Sequence, residues 1–129
     1  MEKKHRLAEL QLAIMQVLWR RGAATVAEVR ADLAPQRALA HTTVGTMLAK
    51  MEEKGQVRHR SDGRVNIYRP AIRQNQVSQS MVQDLADRLF GGDVKRMVCH
   101  LLDGGELTPG DLAELRRMIQ QREKEARDE

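Results

Sequence analysis

The chain has 129 residues, enough for one compact unit or for two small ones that share a core. Its composition, 41% hydrophobic and 31% charged, excludes a chain that is disordered throughout. The single cysteine excludes an internal disulfide, no apolar run approaches the ~20 residues of a membrane span, and no signal peptide is evident, so we expect a cytoplasmic protein without membrane insertion. Residues 1–73 carry a balance of +7 and residues 74–129 a balance of −3, which indicates a polyanionic partner for the front half, or a chance fluctuation of solvated charge.

Two amphipathic helices are predicted first. Residues 7–21 form one, which ends at Gly22. The next begins at a capping box of Thr25 and Glu28 and ends before Pro35. The apolar positions that recur at helical spacing, and that we expect to be buried, are Leu7, Leu10, Ile14, Val17, Leu18, Val26, Val29 and Leu33.

A third helix is predicted over residues 42–55, with Thr42 as its cap. Its apolar stripe is Val44, Met47, Leu48 and Met51. Three threonines and a glycine in its first turns are poor helix formers, which we interpret as the cost of a surface that reads a DNA groove. The alternative is one capping threonine and solvated filler. The residues predicted to contact DNA from this helix are His41, Thr42, Thr43, Thr46 and Lys50.

A β-hairpin is predicted over residues 57–70, because Asp62-Gly63 lies between two alternating runs. A two-residue Asp62-Gly63 turn would mix charged and apolar side chains on each face. A three-residue loop, residues 61–63, is favoured because it pairs Val57 with Ile67 and His59 with Val65 and so gathers the apolar side chains. The side chains expected to point outward are Arg58, Arg60, Arg64 and Asn66.

Three helices followed by a hairpin predict a winged helix-turn-helix head over residues 1–73. The hairpin is the wing, and Arg58, Arg60 and Arg64 are predicted to contact DNA phosphates. The alternative is a small α+β domain without DNA affinity. The fold class is therefore mainly α with a small β-hairpin.

Residues 74–129 are predicted to form a helical dimerisation domain. Three short amphipathic helices beyond a complete head have little left to pack against, so a second copy is the expected partner. The alternative is a monomeric bundle. The side chains assigned to the dimer interface are Val77, Met81, Leu85, Leu89, Val94, Val98, Leu101, Leu112, Leu115, Met118 and Ile119.

Several segments together resemble the penicillinase-repressor family of the BlaI/MecI/CopY type. They cover nearly the whole chain in the right order: "LAELQLAIMQVLWRRG", "TVAEVRADL", "LAHTTVGTMLAKMEEKGQVRHRSDGRVNIYRP", "RLFGG" and "LTPGDLAELRRMI". The resemblance implies a homodimeric bacterial repressor that binds double-stranded palindromic operators with TACA/TGTA-like half-sites and controls resistance or stress genes. It also implies that a membrane sensor protease is a possible partner.

Three departures from the family pattern bear on these expectations. Ala8 stands where family members place a capping Ser or Thr. His100-Leu101 stands where the antibiotic-responsive members have the Asn-Phe bond that the protease cuts, so this mode of induction is not expected to transfer directly. The paired Cys-x-Cys motifs of the copper-responsive members are missing, so copper sensing is not expected.

No catalytic constellation is present, so we predict no enzyme, no cofactor and no metal site. His5, His41, His59 and His100 show no metal-ligand spacing. Cys99 is expected to be a buried thiol. The alternative functions are a winged-helix protein-interaction module and a regulator that binds a small effector.

Overall fold

The computed structural model describes residues 7–128. Residues 1–6, with His5 and the stretch inspected for a signal peptide, and residue 129 lie outside this range. The described elements, in chain order, are α1 (Glu9–Arg21), β1 (Ala24–Thr25), α2 (Val26–Leu33), α3 (His41–Glu53), β2 (Val57–Asp62), β3 (Val65–Pro70), α4 (Gln74–Phe90), α5 (Val94–Asp103) and α6 (Pro109–Arg127). The predicted fold class is confirmed. In the described range, no helix is both long enough and apolar enough to cross a membrane.

The core of the head is aliphatic. Helices α1 to α3 turn their apolar stripes toward one another and toward the sheet, as their spacing predicted. The buried side chains of this core are Leu7, Ile14, Met15, Val17, Leu18, Ala24, Val29, Leu33, Val44, Leu48, Met51, Val57, Tyr68 and Val77. Burying a side chain of this size stabilises the fold by about 1.5–3 kcal/mol. The head therefore has enough apolar burial to hold its helices in place.

A three-stranded antiparallel sheet, in the order β1-β3-β2, completes the head. The two residues of β1 pair with β3, Ala24 with Tyr68 and Thr25 with Ile67. Strand β1 was not predicted, because two residues are too short to show an alternating pattern. Thr25 nevertheless makes the predicted capping box: its Oγ1 accepts from the Glu28 backbone N–H at 3.2 Å, and Glu28 accepts from the Thr25 N–H at 2.9 Å.

The predicted register of the wing is wrong. The strands pair Val57 with Pro70 and His59 with Tyr68, which leaves a two-residue turn of Gly63 and Arg64. Gly63 has a φ of +66°, while no non-glycine residue in the described range has a positive φ, the combination of a type II′ turn. Because of this shift in register, the β3 side chains predicted to lie on the same face as Val57 lie on the opposite face. The buried residue is Tyr68, with its larger side chain, and the side chain of Val65, predicted to be buried, is 47% exposed.

The start of α4 belongs to the head. The backbone divides into two units, one ending at Asp84 and the other beginning at Leu85, whereas the expected boundary was 73/74. Val77 is only 1% exposed within the head core, and Ile72 and Met81 pack against that core. The indole N–H of Trp19 donates to the Ile72 carbonyl at 3.0 Å. The assignment of Val77 to a dimer interface is therefore wrong, because its side chain is already buried by its own chain.

The second unit contains the end of α4, α5 and α6. Thr108 and Asp111 form the predicted capping box at the start of α6. In α5 the only buried side chain is Met97, and in α6, all of which is described, none is buried. Cys99 is exposed, so its predicted burial is wrong. It lies two positions after Met97, which on a helix turns it away from the buried side.

An ion-pair network joins the end of α1 to α2. The Arg21 guanidinium donates to both carboxylate oxygens of Asp32, at 2.7 and 2.8 Å, and Arg20 donates to the same carboxylate at 3.2 Å. Hydrogen bonds from Arg21, with a smaller contribution from Arg20, lower the pKa of Asp32 to about 2. Because this pKa is lowered, the pair stabilises the fold above the unfolded-state pKa of about 4 and loses this effect as the pH falls toward about 2.

We expect Asp32→Asn to reduce the free energy of unfolding by about 1 kcal/mol at neutral pH, a value discounted for the partial exposure of Arg21. The difference from the parent protein should shrink as the pH is lowered from about 4 to about 2. Urea unfolding at several pH values measures this. Asp62→Asn, on the exposed wing, is the control and should change little. A difference that stays constant down to the lowest pH would contradict the role of the ionised carboxylate.

Candidate nucleic-acid interface

Helix α3 presents one buried and one exposed face. Val44, Leu48 and Met51 are fully buried, which fixes the rotation of the helix about its axis. The Nε2 of Gln11 in α1 contacts the Met47 sulfur at 3.8 Å from the same side. All five residues of this helix predicted to contact DNA are exposed: His41, Thr42, Thr43, Thr46 and Lys50. At about 100° per residue, Thr42, Thr43, Thr46 and Lys50 lie on one side of the helix, which we call the reading face. The structure therefore brings these four together, whereas His41, at the start of the helix, points in nearly the same direction as Leu48.

The N-terminus of α3 has no side-chain cap. The N-cap residue is Ala40, so the prediction that Thr42 caps the helix is wrong; Thr42 is the second residue of the helix. The first amide N–H groups of a helix have no intrahelical acceptors. Without a capping oxygen they stay available to an external anion, and the positive end of the helix dipole favours one. A DNA phosphate is an anion of this kind.

The segment before α3 is held by arginines of the head. The Nε of Arg30 in α2 donates to the Leu39 carbonyl at 2.7 Å. Arg37 pairs with Glu9 of α1 at 2.6 Å. These bonds connect the turn to both preceding helices, so the start of α3 is positioned by α1 and α2 together.

The wing also carries basic side chains, and these differ from the arginines just described in their partners. Arg58 and Arg60 lie on the exposed face of β2, and Arg64 occupies the turn. Within residues 7–128, no acidic partner is found for these three or for Lys50, whereas Arg20, Arg21 and Arg37 are all paired. The paired arginines hold the head together. The unpaired ones are available to a polyanion.

Arg69 is a further basic residue that the sequence analysis missed. It lies directly opposite Arg58 across the hairpin, so both side chains point to the same face. Like charges in this arrangement destabilise a hairpin. Only the observed register brings the two together, and the expected one did not. Arg58, Arg60 and Arg69 together form what we call the arginine face, whose self-repulsion an anionic partner would relieve.

Gly45 lies inside α3, where glycine costs about 1 kcal/mol relative to alanine. Apart from the two adjacent residues and the backbone of α3 itself, a Cβ built at this position meets no described atom within 4 Å. Internal packing therefore does not require the glycine. We expect the reason to lie outside the chain, in a close approach of the helix to a groove.

The histidines and other metal-ligating residue types of the described range are dispersed. Among residues 7–128, no three His, Cys, Asp or Glu side chains lie where they could hold a metal ion together. His41 lies at the start of α3, His59 on β2 and His100 in α5, apart from one another along the chain.

The predicted dimerisation residues of the second unit are mostly exposed. Leu85, Leu89, Val94, Val98, Leu101, Leu112, Met118 and Ile119 are each 43–64% exposed, and Leu115 is half-buried. Most soluble monomers do not leave so many large apolar side chains in water on one short segment. Their place in an interface between two copies stays a prediction.

Comparisons with known proteins agree with this arrangement. The family model described as penicillinase repressor matches residues 7–121. The penicillinase repressor of Bacillus licheniformis is 25% identical over 121 residues, covering 94% of each chain. The transcriptional regulator BlaI of Mycobacterium tuberculosis is 34% identical over 105 residues, covering 80% of this chain and 76% of that one.

A solved structure matches the head. It is the solution structure of the monomeric form of BlaI from Bacillus licheniformis in complex with the blaP half-operator. It is 29% identical, covers 59% of this chain and 93% of that one, and superposes with a TM-score of 0.50.

We expect Gly45→Ala to stabilise the free protein by about 1 kcal/mol, because alanine is the better helix former and nothing in the chain obstructs its methyl group. The same variant should bind duplex DNA more weakly if the helix enters a groove with Gly45 close to the DNA, because the added methyl group would then hold the two apart. Urea unfolding and a DNA titration on the same sample test both effects. A stabilised variant with unchanged DNA affinity would remove the external reason for the glycine.

Proposed function

Because the chain belongs to the penicillinase repressor family, it is a DNA-binding transcriptional repressor and not an enzyme, and we propose that it binds a palindromic operator as a homodimer. In this proposal α3 of each head enters the major groove, and its reading face contacts base edges. The wing contacts the neighbouring phosphates through Arg58, Arg60 and Arg64, with Arg69 as an additional contact.

One observation carries this assignment of contacts. The small polar side chains of the reading face and the arginines of the wing are exposed and, within the described chain, without acidic partners. Threonine hydroxyl and methyl groups suit base edges, while arginines supply the contacts to phosphate that do not depend on sequence. The two sets together supply what a reader of duplex DNA needs.

The homodimer is supported by the second unit. Its exposed apolar side chains would be removed from water against the same surface of another copy, an isologous arrangement that two-fold symmetry permits. The complex of monomeric BlaI with a half-operator supports one half-site for each head. Two heads on one palindrome would then bind cooperatively through their shared tail.

The biological setting is proposed from the family. The names of the similar proteins refer to penicillinase, so we propose resistance or stress genes as the targets and the cytoplasm as the location. A membrane sensor protease remains a proposed partner. The corresponding bond, His100-Leu101, lies in the second half of α5 with both side chains exposed. A protease would need to unwind this helix to bind the bond in extended form.

The reading face and the wing should respond differently to substitution. We expect Thr46→Ala to weaken binding to an operator obtained by in vitro selection by about 1–3 kcal/mol while leaving binding to bulk DNA nearly unchanged. Arg64→Ala should weaken binding to every duplex and reduce the slope of log affinity against log salt by roughly one unit for each phosphate that the side chain neutralises. Titrations on both DNAs at several salt concentrations measure the two effects.

Arg20→Ala is the matched control for the wing. It removes the same formal charge from the same unit, but Arg20 is already paired with Asp32 and does not contact the segment before α3. Its salt slope should stay close to that of the parent protein. If Thr46→Ala weakens binding equally on operator and bulk DNA, α3 does not read sequence; a protein-interaction module would show no salt-dependent DNA binding at all.

The role of the second unit is tested by removing it. The chain should be ended after Asp84 and not after Pro70, because Ile72 and Val77 complete the head core. We expect a folded monomer that binds a half-site normally but whose affinity for the full palindrome falls by a factor of about 10² to 10⁴, since the second contact is no longer intramolecular.

A milder variant keeps the whole chain. Leu112→Asp with Leu115→Asp introduces charge into the proposed interface and should reduce affinity for the palindrome in the same way. Sedimentation and operator titration are applied to both the shortened and the substituted protein. A shortened monomer that binds the palindrome as tightly as the intact chain would show that the second unit does not join the heads.

A further inference from the structure

The end of α3 is joined to the wing by one carboxylate. Glu52, in the last turn of α3, accepts the backbone N–H of His59 in β2 at 3.0 Å through Oε2. Its Oε1 lies 2.7 Å from Nδ1 of the same histidine. The two side chains are about one-third exposed. One side chain therefore holds both the backbone and the ring of a wing residue.

The backbone bond is possible because β2 is an edge strand. The sheet order is β1-β3-β2, so one side of β2 has no neighbouring strand, and the N–H of His59 is used by Glu52 on that side. The ring of His59 also lies against Tyr68, with centroids 5.3 Å apart, and Tyr68 is buried in the head. The contact thus connects α3, β2 and the core.

The position of Glu52 is electrostatically unfavourable, which calls for an explanation. A negative charge in the last turn of a helix is disfavoured by the helix dipole. Near a proposed DNA surface it is also repelled by phosphates. Glu53, the next residue, has the same disadvantages and no partner within the described chain. Glu52 differs from it in holding the wing.

The loop between α3 and β2 does not by itself define the wing's direction. It consists of residues 54–56 and includes Gly55, whose φ is +78°. The base of the wing is held by the bond from the Ala71 N–H to the Gln56 carbonyl at 2.9 Å and by buried Val57. The Glu52 contact lies two residues further along β2 than Val57. Strand β3 is also held through its pairing with β1, and the Glu52 contact adds a direct tie between the edge strand β2 and α3.

We propose that Glu52 is a positioning residue that sets the angle between the reading face and the wing, so that both meet one duplex at the same time. The proposal rests on the proposed function, because it assumes that α3 and the wing contact the same DNA. It predicts a change in DNA affinity opposite in sign to the change expected from charge repulsion alone. Removing a negative charge near DNA should tighten binding, whereas removing this one should weaken it.

The test is a double-mutant cycle in the full-length chain. Glu52→Ala and Arg64→Ala are made singly and together, and operator affinity and salt slope are measured for each. Glu53→Ala is the matched control, with the same charge removed from the neighbouring position. Glu52→Gln is the conservative variant, because its amide oxygen can still accept the His59 N–H. Thermal unfolding confirms that each variant is folded at the temperature of the titration.

We expect Glu52→Ala to weaken operator binding by about 10-fold and Arg64→Ala to have a much smaller effect in that background than in the parent, since residues that act together couple. Glu53→Ala should leave affinity unchanged or raised, and Glu52→Gln should recover part of the affinity. If Glu52→Ala binds as tightly as the parent, or if the two effects are additive, the proposal is overturned while the proposed function stands. If neither Arg64→Ala nor Thr46→Ala weakens binding, the proposed function itself fails.

Discussion

The arrangement of the head depends on the burial of three side chains of α3. Val44, Leu48 and Met51 are fully buried, so the helix cannot rotate without exposing them. Exposure of one such side chain costs about 1.5–3 kcal/mol, more than any surface contact of the helix returns. The opposite face is therefore held outward whatever residues it carries. This leaves the sequence free to place threonines and a glycine there, at the expense of helix propensity.

The basic residues of the head divide into two groups by their surroundings. Arg21 forms a two-bond contact with Asp32, and Arg37 is paired with Glu9, so these charges stabilise the fold. Arg58 and Arg69 instead face each other across the hairpin without acidic partners in the described chain. A like-charged pair lowers hairpin stability by itself and strengthens attraction to a polyanion. Net charge alone does not distinguish these groups, because pairing decides which charges are available.

The two units differ in how they bury apolar surface. The head has a closed core, completed by the beginning of α4. The second unit buries Met97 but leaves large side chains such as Leu89 and Leu101 more than 60% exposed. An amphipathic helix with an uncovered apolar face is stabilised when another surface covers it. This contrast supports the proposed association between copies through the second unit, whereas the head is complete within one chain.

The sequence by itself determined the helices and their buried faces, because a 3.6-residue period over ten or more positions is a strong pattern, as in α3 with Val44 and Leu48. Its segments also identified the family. Only the tertiary structure decided the wing register. Strand β2 has a single apolar residue, Val57, so the apolar pattern does not fix which residue of β3 lies opposite it; burial of Tyr68 and the turn at Gly63 decide this. The tertiary structure also decided that Val77 belongs to the head. Whether an apolar stripe packs against its own chain or against another depends on what lies opposite it in space, and a helical period carries no information about that.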